Sequence, residues 1–162
     1  MNTLILLFAL LGQDKPFTDA DPKPAIEAAK KKAAAENRRV LVLWGANNSE
    51  ESLATATMFK KDKQVARTIL YEYDLVLADI RHRPPPEESE PTKLLIPPLA
   101  VIMDAEGKVL FNSAAPASGP AMLELLKKHQ APPWKAQDVL DAAKKKAAAE
   151  KKRVLLTFGA PW

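Results

Sequence analysis

The stretch that decides the fold is VLVLWGANNSEES, residues 40–52. Its first five residues, Val40 to Trp44, form an unbroken apolar run, which predicts a buried strand. Gly45 to Asn48 then predicts a turn. A helix is expected from Ser49 to Phe59, with Asn48 as its N-cap and acidic residues in its first turn, where they complement the helix dipole.

Further helices and strands are predicted on both sides of this stretch. Before it, the alanine-rich sequence from Asp21 onward predicts a helix that stops at Asn37. After it come a helix, three strands and a second helix, at Gln64–Tyr71, Leu75–Ile80, Leu99–Met103, Lys108–Asn112 and Gly119–Gln130. A βαβ start followed by a ββα end predicts an α/β fold with a central mixed sheet flanked by helices.

Part of this pattern occurs twice in the chain. AAKKKAAAE at residues 28–36 returns letter for letter at residues 142–150. At the same spacing, RVLVLWGANN at residues 39–48 is matched by RVLLTFGAPW at residues 153–162. Self-similarity at a fixed offset indicates repeated structural units.

The repeat divides the chain into four segments. We expect a leader, a complete domain, a linker and the truncated start of a second copy, at residues 1–20, 21–130, 131–136 and 137–162. Within the second copy, Asp138 to Lys151 is predicted to be helical. Val154 to Phe158 predicts a strand without a sheet of its own, which is expected to be loosely placed or packed on the first domain.

The composition excludes several kinds of chemistry. The chain has no cysteine, so it can form no disulfide and carry no thiolate nucleophile. Its two histidines lie far apart in the sequence, so we expect no metal site and no cofactor. The net charge is +4, with lysine triplets at residues 30–32 and 144–146. No aromatic residues interleave them, so they indicate solvated helix faces rather than a nucleic-acid surface.

The N-terminus carries a short apolar run from Leu4 to Leu11. It is too short to span a bilayer as a helix, but it fits the low end of a signal-peptide core. We therefore expect export to the periplasm or the exterior. No basic residue precedes the run, and only Ala9 and Gly12 offer small residues for cleavage. The alternative is a buried N-terminal strand in a cytoplasmic protein.

Three segments together resemble the thioredoxin-like family. They are VLVLWGANNSEES, the segment PLAVIMDAEGKVL at residues 98–110, and RVLLTFGAPW. The resemblance covers residues 24–130 and the partial copy, and it implies a thioredoxin fold. It also implies two cysteines, two residues apart, at the start of the helix after the first strand. Ser49 and Ser52 occupy those positions here, and Asn48 replaces the family's tryptophan.

The two serines argue against a redox role for this domain. A hydroxyl cannot form a disulfide, and Glu50 and Glu51 between the serines would raise the pKa of a neighbouring thiol. We favour natural divergence over an engineered replacement, because Asn47 and Asn48 depart from the family pattern as well. A third interpretation is that Ser49 is only a helix cap, and the repeat ending in GAPW argues against it.

The resemblance also implies a cis proline at Pro98, in the sequence Ile96–Pro97–Pro98. In this family an extended peptide pairs with the backbone beside that proline. Asn48, Pro97 and Pro98 are therefore the candidate residues of a groove for a peptide or protein partner. No residue is expected to be catalytic.

The remaining conspicuous residues are interpreted as structural. Asp79 is expected to form a turn, and Arg81 to Arg83 to begin an exposed loop that the acidic residues at 87, 88 and 90 could neutralise. Aromatic side chains are expected in core or semi-core positions, at Trp44, Phe59, Tyr71, Tyr73 and Phe111.

Two hypotheses for the function follow. The first is an accessory, non-catalytic module of a longer thiol–disulfide oxidoreductase, whose second domain would carry Cys-x-x-Cys directly after Trp162. The alternative is a peptide- or protein-binding module with no redox role. An independent enzyme is disfavoured, because the sequence contains no nucleophile–base pair, phosphate loop or metal cluster.

Overall fold

The computed structural model of the protein describes residues 15–84 and 97–156. The chain divides into two compact units, Met1–Ala131 and Pro132–Trp162, called the first and second unit below. Three predictions lie wholly or partly outside the described residues. They concern the apolar run of the leader, the acidic loop before Pro97, and the end of the second copy from Thr157 onward.

The first unit is built around one four-stranded sheet. Its elements are α1 (Lys23–Glu36), β1 (Arg39–Gly45), α2 (Glu50–Lys61), α3 (Lys63–Glu72), β2 (Tyr73–Asp79), a 3₁₀ turn (Ile80–His82), β3 (Leu99–Met103), β4 (Val109–Ala114) and α4 (Gly119–His129). The strand order is β2-β1-β3-β4, with β1 parallel to β2 and antiparallel to β3, and β3 antiparallel to β4. The predicted mixed α/β sheet is confirmed.

Local sequence explains where the elements end. Asn37 terminates α1 in the left-handed conformation, with φ 53°, which asparagine tolerates better than most residues. Gly107 takes φ 92° in the hairpin between β3 and β4. Asp62 separates α2 from α3 because its carboxylate caps α3, accepting hydrogen bonds from the backbone N–H groups of Gln64 and Val65 at 3.0 and 3.1 Å.

Side chains of β1 alternate between two hydrophobic layers. Leu41 and Leu43 pack with the layer formed by α2, α3 and α4, whereas Val40 and Trp44 pack with α1 on the opposite face. Each fully buried aliphatic side chain of this kind stabilises a fold by roughly 1.5–3 kcal/mol. The two layers make β1 the centre of the first unit.

The structure corrects one of the predicted core aromatics. Trp44, Phe59 and Tyr73 are buried as expected, but Tyr71 is 42% exposed. It lies two residues after the buried Ile69 of α3 and therefore points to another side of the helix. The guanidinium of Arg67 lies 6.0 Å from the centre of its ring.

The folded part of the first unit begins ahead of Asp21, where the sequence places the start of the domain. Phe17 is 1% exposed and belongs to the core. The neighbouring Thr18 forms a parallel bridge with Ala78 of β2. A single phenylalanine between a proline and a threonine has no periodicity, so the sequence pattern does not reveal this contact.

Among its described residues, 132–156, the second unit contains one helix, α5 (Ala136–Ala149). It starts and ends two residues earlier than predicted. None of the residues of α5 is buried. Residues 152–156 form no strand, and the side chains of Val154, Leu155 and Leu156 are exposed. The described part of the predicted strand is therefore neither paired nor packed.

Candidate functional site

Ser49 is the residue that starts α2. It has an extended backbone, with φ −104° and ψ 121°, and its Oγ accepts a hydrogen bond from the backbone N–H of Ser52 at 3.2 Å. The same hydroxyl donates to the Glu51 carboxylate at 3.1 Å. The prediction of Asn48 as N-cap is therefore wrong by one residue, because the helix begins at Glu50. Asn48 is exposed.

Ser52 lies in the first turn of α2 and is completely buried. Its hydroxyl has no hydrogen-bond partner among the residues that the structure describes. An unsatisfied buried polar group costs about 1–3 kcal/mol. A thiol forms weaker hydrogen bonds than a hydroxyl and would lose less at this position. The surroundings of Ser52 therefore suit a small group that does not need a hydrogen bond.

The turn before Ser49 is held by the N-terminal segment. Asn47 accepts a hydrogen bond from the backbone N–H of Phe17 at 3.1 Å and donates one to the backbone carbonyl of Phe17 at 2.7 Å. The Phe17 ring also lies against Gly45, where an added Cβ would come within 2.3 Å of it. Only glycine fits beside the ring. Gly45, Asn47 and Phe17 therefore pack together next to the serines.

Sequence reasoning missed this clamp of Phe17 and Asn47. The two residues lie thirty positions apart, and neither belongs to a periodic pattern. The departure of Asn47 from the family pattern was the one available signal, since an amide in a turn can replace a backbone pairing partner.

Pro98 lies at the same end of the two central strands, β1 and β3, as the serines. The Pro97–Pro98 peptide bond is cis, the geometry that the resemblance implies for Pro98. The next residue, Leu99, pairs with Trp44 near the end of β1. The serines follow the end of β1 in the chain, and the prolines directly precede β3, whose first residue pairs near that end.

The prolines offer few groups for pairing with a peptide. Pro98 is buried, and its carbonyl accepts the backbone N–H of Ala115 at 2.9 Å. Neither Pro97 nor Pro98 has a backbone N–H. The candidate groove therefore relies on the Pro97 carbonyl and on the exposed Asn48 side chain, for which the described residues provide no hydrogen-bond partner.

A charged cluster lies at the end of β2, next to the end of β1. The buried Asp79 carboxylate accepts from Nε and Nη2 of Arg81 at 3.0 and 2.9 Å, and the Arg81 backbone N–H bonds to it at 2.9 Å. These hydrogen bonds lower the pKa of Asp79. Arg81 also contacts Asp19 at 2.7 Å. Asp79 thus forms a turn, as predicted, and two aspartates pair with Arg81.

Neither a metal-binding cluster nor a membrane-spanning helix occurs among the residues that the structure describes. The residues at 15–84 and 97–156 contain no group of three side chains that could hold a metal ion. No helix in these ranges is long and apolar enough to cross a membrane.

Comparisons with known proteins bear on the fold. No protein-family model matches the chain, and no curated protein matches it. Among solved structures, the chain is similar to the disulphide isomerase from Xylella fastidiosa Temecula1, with a TM-score of 0.56. The fold is thioredoxin-like. The two proteins are 16% identical over 70% of this chain and 95% of the other, and at that identity the thioredoxin-like likeness concerns the fold and not the activity.

Proposed function

We propose that the first unit is a redox-inactive thioredoxin-like domain, which serves as an accessory or substrate-binding module of a longer thiol–disulfide oxidoreductase. The observation that carries this proposal is the position of Ser49 and Ser52, at the cap and in the first turn of the helix that follows β1. These are the positions at which the family holds its two thiols.

The surroundings of the two serines support the proposal that the domain is redox-inactive. The Ser49 hydroxyl donates to a carboxylate, and a thiol in its place would have a raised pKa because the thiolate would be repelled. Serine itself neither ionises near neutral pH nor forms a disulfide. The buried position of Ser52 suits the less polar thiol, which is consistent with divergence from a Cys-x-x-Cys ancestor.

The accessory role rests on the internal repeat. If the second copy is a complete domain in a longer protein, its two thiols would follow Trp162 directly. Sequencing the gene beyond the codon of Trp162 tests this, and a residue other than cysteine at the next position would count against the accessory role. Export by the N-terminal segment belongs to the same proposal, with a cytoplasmic location as the alternative, and N-terminal sequencing of the protein from cell fractions distinguishes the two.

Restoring the thiols tests the assignment of the site. We expect the double variant Ser49→Cys, Ser52→Cys to form an intramolecular disulfide under mild oxidation, detected by mass spectrometry after thiol alkylation. The matched control is Ser49→Cys alone, which has no partner for such a bond. Failure of the double variant to form the disulfide, with its fold intact by circular dichroism, would contradict the assignment.

The second candidate function is a peptide- or protein-binding module with no redox role. The exposure of Asn48, in the turn that follows β1, is the observation that favours it. Binding of an unfolded, cysteine-free peptide, measured by fluorescence anisotropy, is expected to weaken in Asn48→Ala. It should not change in Gln64→Ala, which removes an exposed amide from α3. Equal affinities in both variants would exclude Asn48 from the groove.

A further inference from the structure

Residues 17–19, called the arm below, lie along the ends of β1 and β2 and are bound at each of their three positions. The Asn47 side chain binds both backbone groups of Phe17, accepting from its N–H at 3.1 Å and donating to its carbonyl at 2.7 Å. A neighbouring antiparallel strand pairs with a residue through the same two groups. Asn47 therefore holds the arm, from the turn after β1, in the way that a strand would hold it.

The ring of Phe17 occupies a space that glycine leaves open. The ring is 1% exposed and belongs to the same core cluster as Leu43. It lies so close to Gly45 that a Cβ added there would come within 2.3 Å of its Cζ atom. A larger residue at position 45 would fill this space, so the sequence of the turn leaves room for an aromatic side chain of the arm.

The other two residues of the arm contact β2 and the turn that follows it. Thr18 forms a parallel bridge with Ala78, on a strand that lies at one edge of the sheet. The Asp19 carboxylate accepts from Nη2 of Arg81 at 2.7 Å, and the Asp19 carbonyl lies 3.0 Å from Nε2 of His82. The arm is therefore recognised through an aromatic ring, its backbone and a carboxylate.

Contacts of these three kinds are the ones by which domains bind extended peptides. A peptide that adds to a sheet edge gains affinity from backbone hydrogen bonds, and pockets for its individual side chains give specificity. The partners of Phe17 and Asp19 lie 30 and 62 positions further along the chain, at Asn47 and Arg81. The binding surface is thus provided by the rest of the folded domain, and the arm occupies it as a ligand would.

We propose that Gly45, Asn47, Ala78 and Arg81 form a binding site for extended peptides in which an aromatic residue is followed, two positions later, by a carboxylate. The arm is the occupant that the chain itself supplies. The middle residue of such a peptide is not specified, because Thr18 is exposed and meets the sheet through its backbone.

This site is independent of the function proposed above. None of the contacts that define it involves Ser49 or Ser52, so it does not depend on whether the domain is redox-inactive. It uses the amide of Asn47, whereas the candidate groove uses the neighbouring Asn48. Substitutions at the two asparagines therefore test the two sites separately.

The test removes the ring of the arm in the whole chain and supplies the arm as a separate peptide. The variant is Phe17→Ala, and the probe is a fluorescent peptide with the sequence of residues 15–20, KPFTDA. In fluorescence anisotropy we expect the variant to bind the probe at least about tenfold more tightly than the wild type. The wild-type arm competes within its own molecule at an effective concentration on the order of millimolar. Equal affinities of the two chains, or no binding to the variant up to about 1 mM probe, would overturn the proposal.

A second readout covers the loss of stability that Phe17→Ala causes by opening a cavity in the core. The probe should raise the midpoint of thermal unfolding of the variant and leave that of the wild type unchanged, because only the variant has a vacant site. Where the variant is largely unfolded, the probe should restore its folded signal in circular dichroism. A variant whose unfolding is unaffected by the probe contradicts the proposal.

Matched probes separate recognition from adhesion to an exposed apolar surface. Alanine in place of the phenylalanine of the probe should weaken binding to the variant at least about tenfold, and asparagine in place of its aspartate about two- to fivefold. Methylation of the phenylalanine amide nitrogen removes the donor to Asn47 and should cost about two- to tenfold. The same methylation should have no effect on the double variant Phe17→Ala, Asn47→Ala. The proposal is wrong if all probes bind the variant equally.

Discussion

The same nine residues occur at Ala28–Glu36 and Ala142–Glu150. All nine are helical in α1, and the first eight are helical in α5. In α1, Ala33 is 1% exposed and packs against the sheet with Val40 and Trp44. In α5, none of the residues is buried. Helix formation thus follows the local sequence in both units, whereas burial follows only where paired strands provide a surface.

The continuation of each copy explains the difference. After α1, the chain enters β1, which pairs with β2 on one side and β3 on the other. After α5, residues 154–156 have the same apolar character but form no strand. An apolar sequence becomes a buried strand only where neighbouring strands satisfy its backbone groups.

The largest expected effect comes from placing a charge on the shared helix face. Ala33→Asp should lower the free energy of unfolding of the first unit by at least about 3 kcal/mol, because it buries an unpaired carboxylate. Ala147→Asp, the same change in α5, should alter it by less than about 0.5 kcal/mol. Urea unfolding followed by Trp44 fluorescence, in a background of Trp134→Phe and Trp162→Phe, measures both. Similar losses of unfolding free energy in the two variants would contradict the difference in burial between α1 and α5.

Removing the carboxylate of an ion pair is expected to have an intermediate effect on stability at pH 7. Asp79→Asn should cost the first unit about 1–2 kcal/mol, because Arg81 loses a buried carboxylate partner. Glu150→Gln, which removes an exposed pair with Lys152 at 2.8 Å in the second unit, should cost less than about 0.5 kcal/mol. Urea unfolding of each variant beside the wild type gives these differences.

The Asp79 difference should depend on pH. The hydrogen bonds from Arg81 depress the pKa of Asp79 in the folded state, so its stabilising contribution is present above the ordinary carboxyl pKa of about 3.9. It is lost as the pH falls through the depressed folded value. The stability difference between the wild type and Asp79→Asn should therefore shrink as the pH falls below the ordinary carboxyl pKa, and a constant difference at all pH values would refute this account.

The smallest effects on stability are expected at Ser49 and Ser52. These residues come directly after the repeated stretch, so the second copy has no counterpart to them in this sequence. Ser49→Ala should destabilise the first unit by about 1 kcal/mol through loss of the helix cap. Ser52→Ala should be neutral or should stabilise by up to about 1 kcal/mol, because it removes a buried hydroxyl without a partner. Thermal unfolding of the two variants gives the sign of each change. A loss on Ser52→Ala as large as that of Ser49→Ala would show that the hydroxyl is satisfied.

Much of the fold is predictable because its signals are local. Asn37 and Gly107 mark a helix end and a hairpin, and each acts through its own backbone preference. The buried Met122 and Leu126 of α4 follow from helical spacing. The N-cap was misplaced by one residue, because Asn48 and Ser49 have similar capping preferences and only the backbone conformation distinguishes them.

Contacts between distant residues were not predictable. The two hydrogen bonds between Asn47 and Phe17 join segments thirty positions apart, and the exposure of Tyr71 depends on which face of α3 the sheet covers. Such contacts are decided by how all elements pack, which a pattern within one element does not contain.

The sequence by itself determined the order of helices and strands, the repeat, and the absence of thiols at Ser49 and Ser52, because each depends only on residue identity or on neighbours within a few positions. The tertiary structure decided that Ser52 is buried without a partner, that Phe17 fixes the turn beside it, and that α5 stays exposed while its copy is covered. The physical reason is that burial requires surfaces from several distant segments at once, and only the packed chain brings those surfaces together.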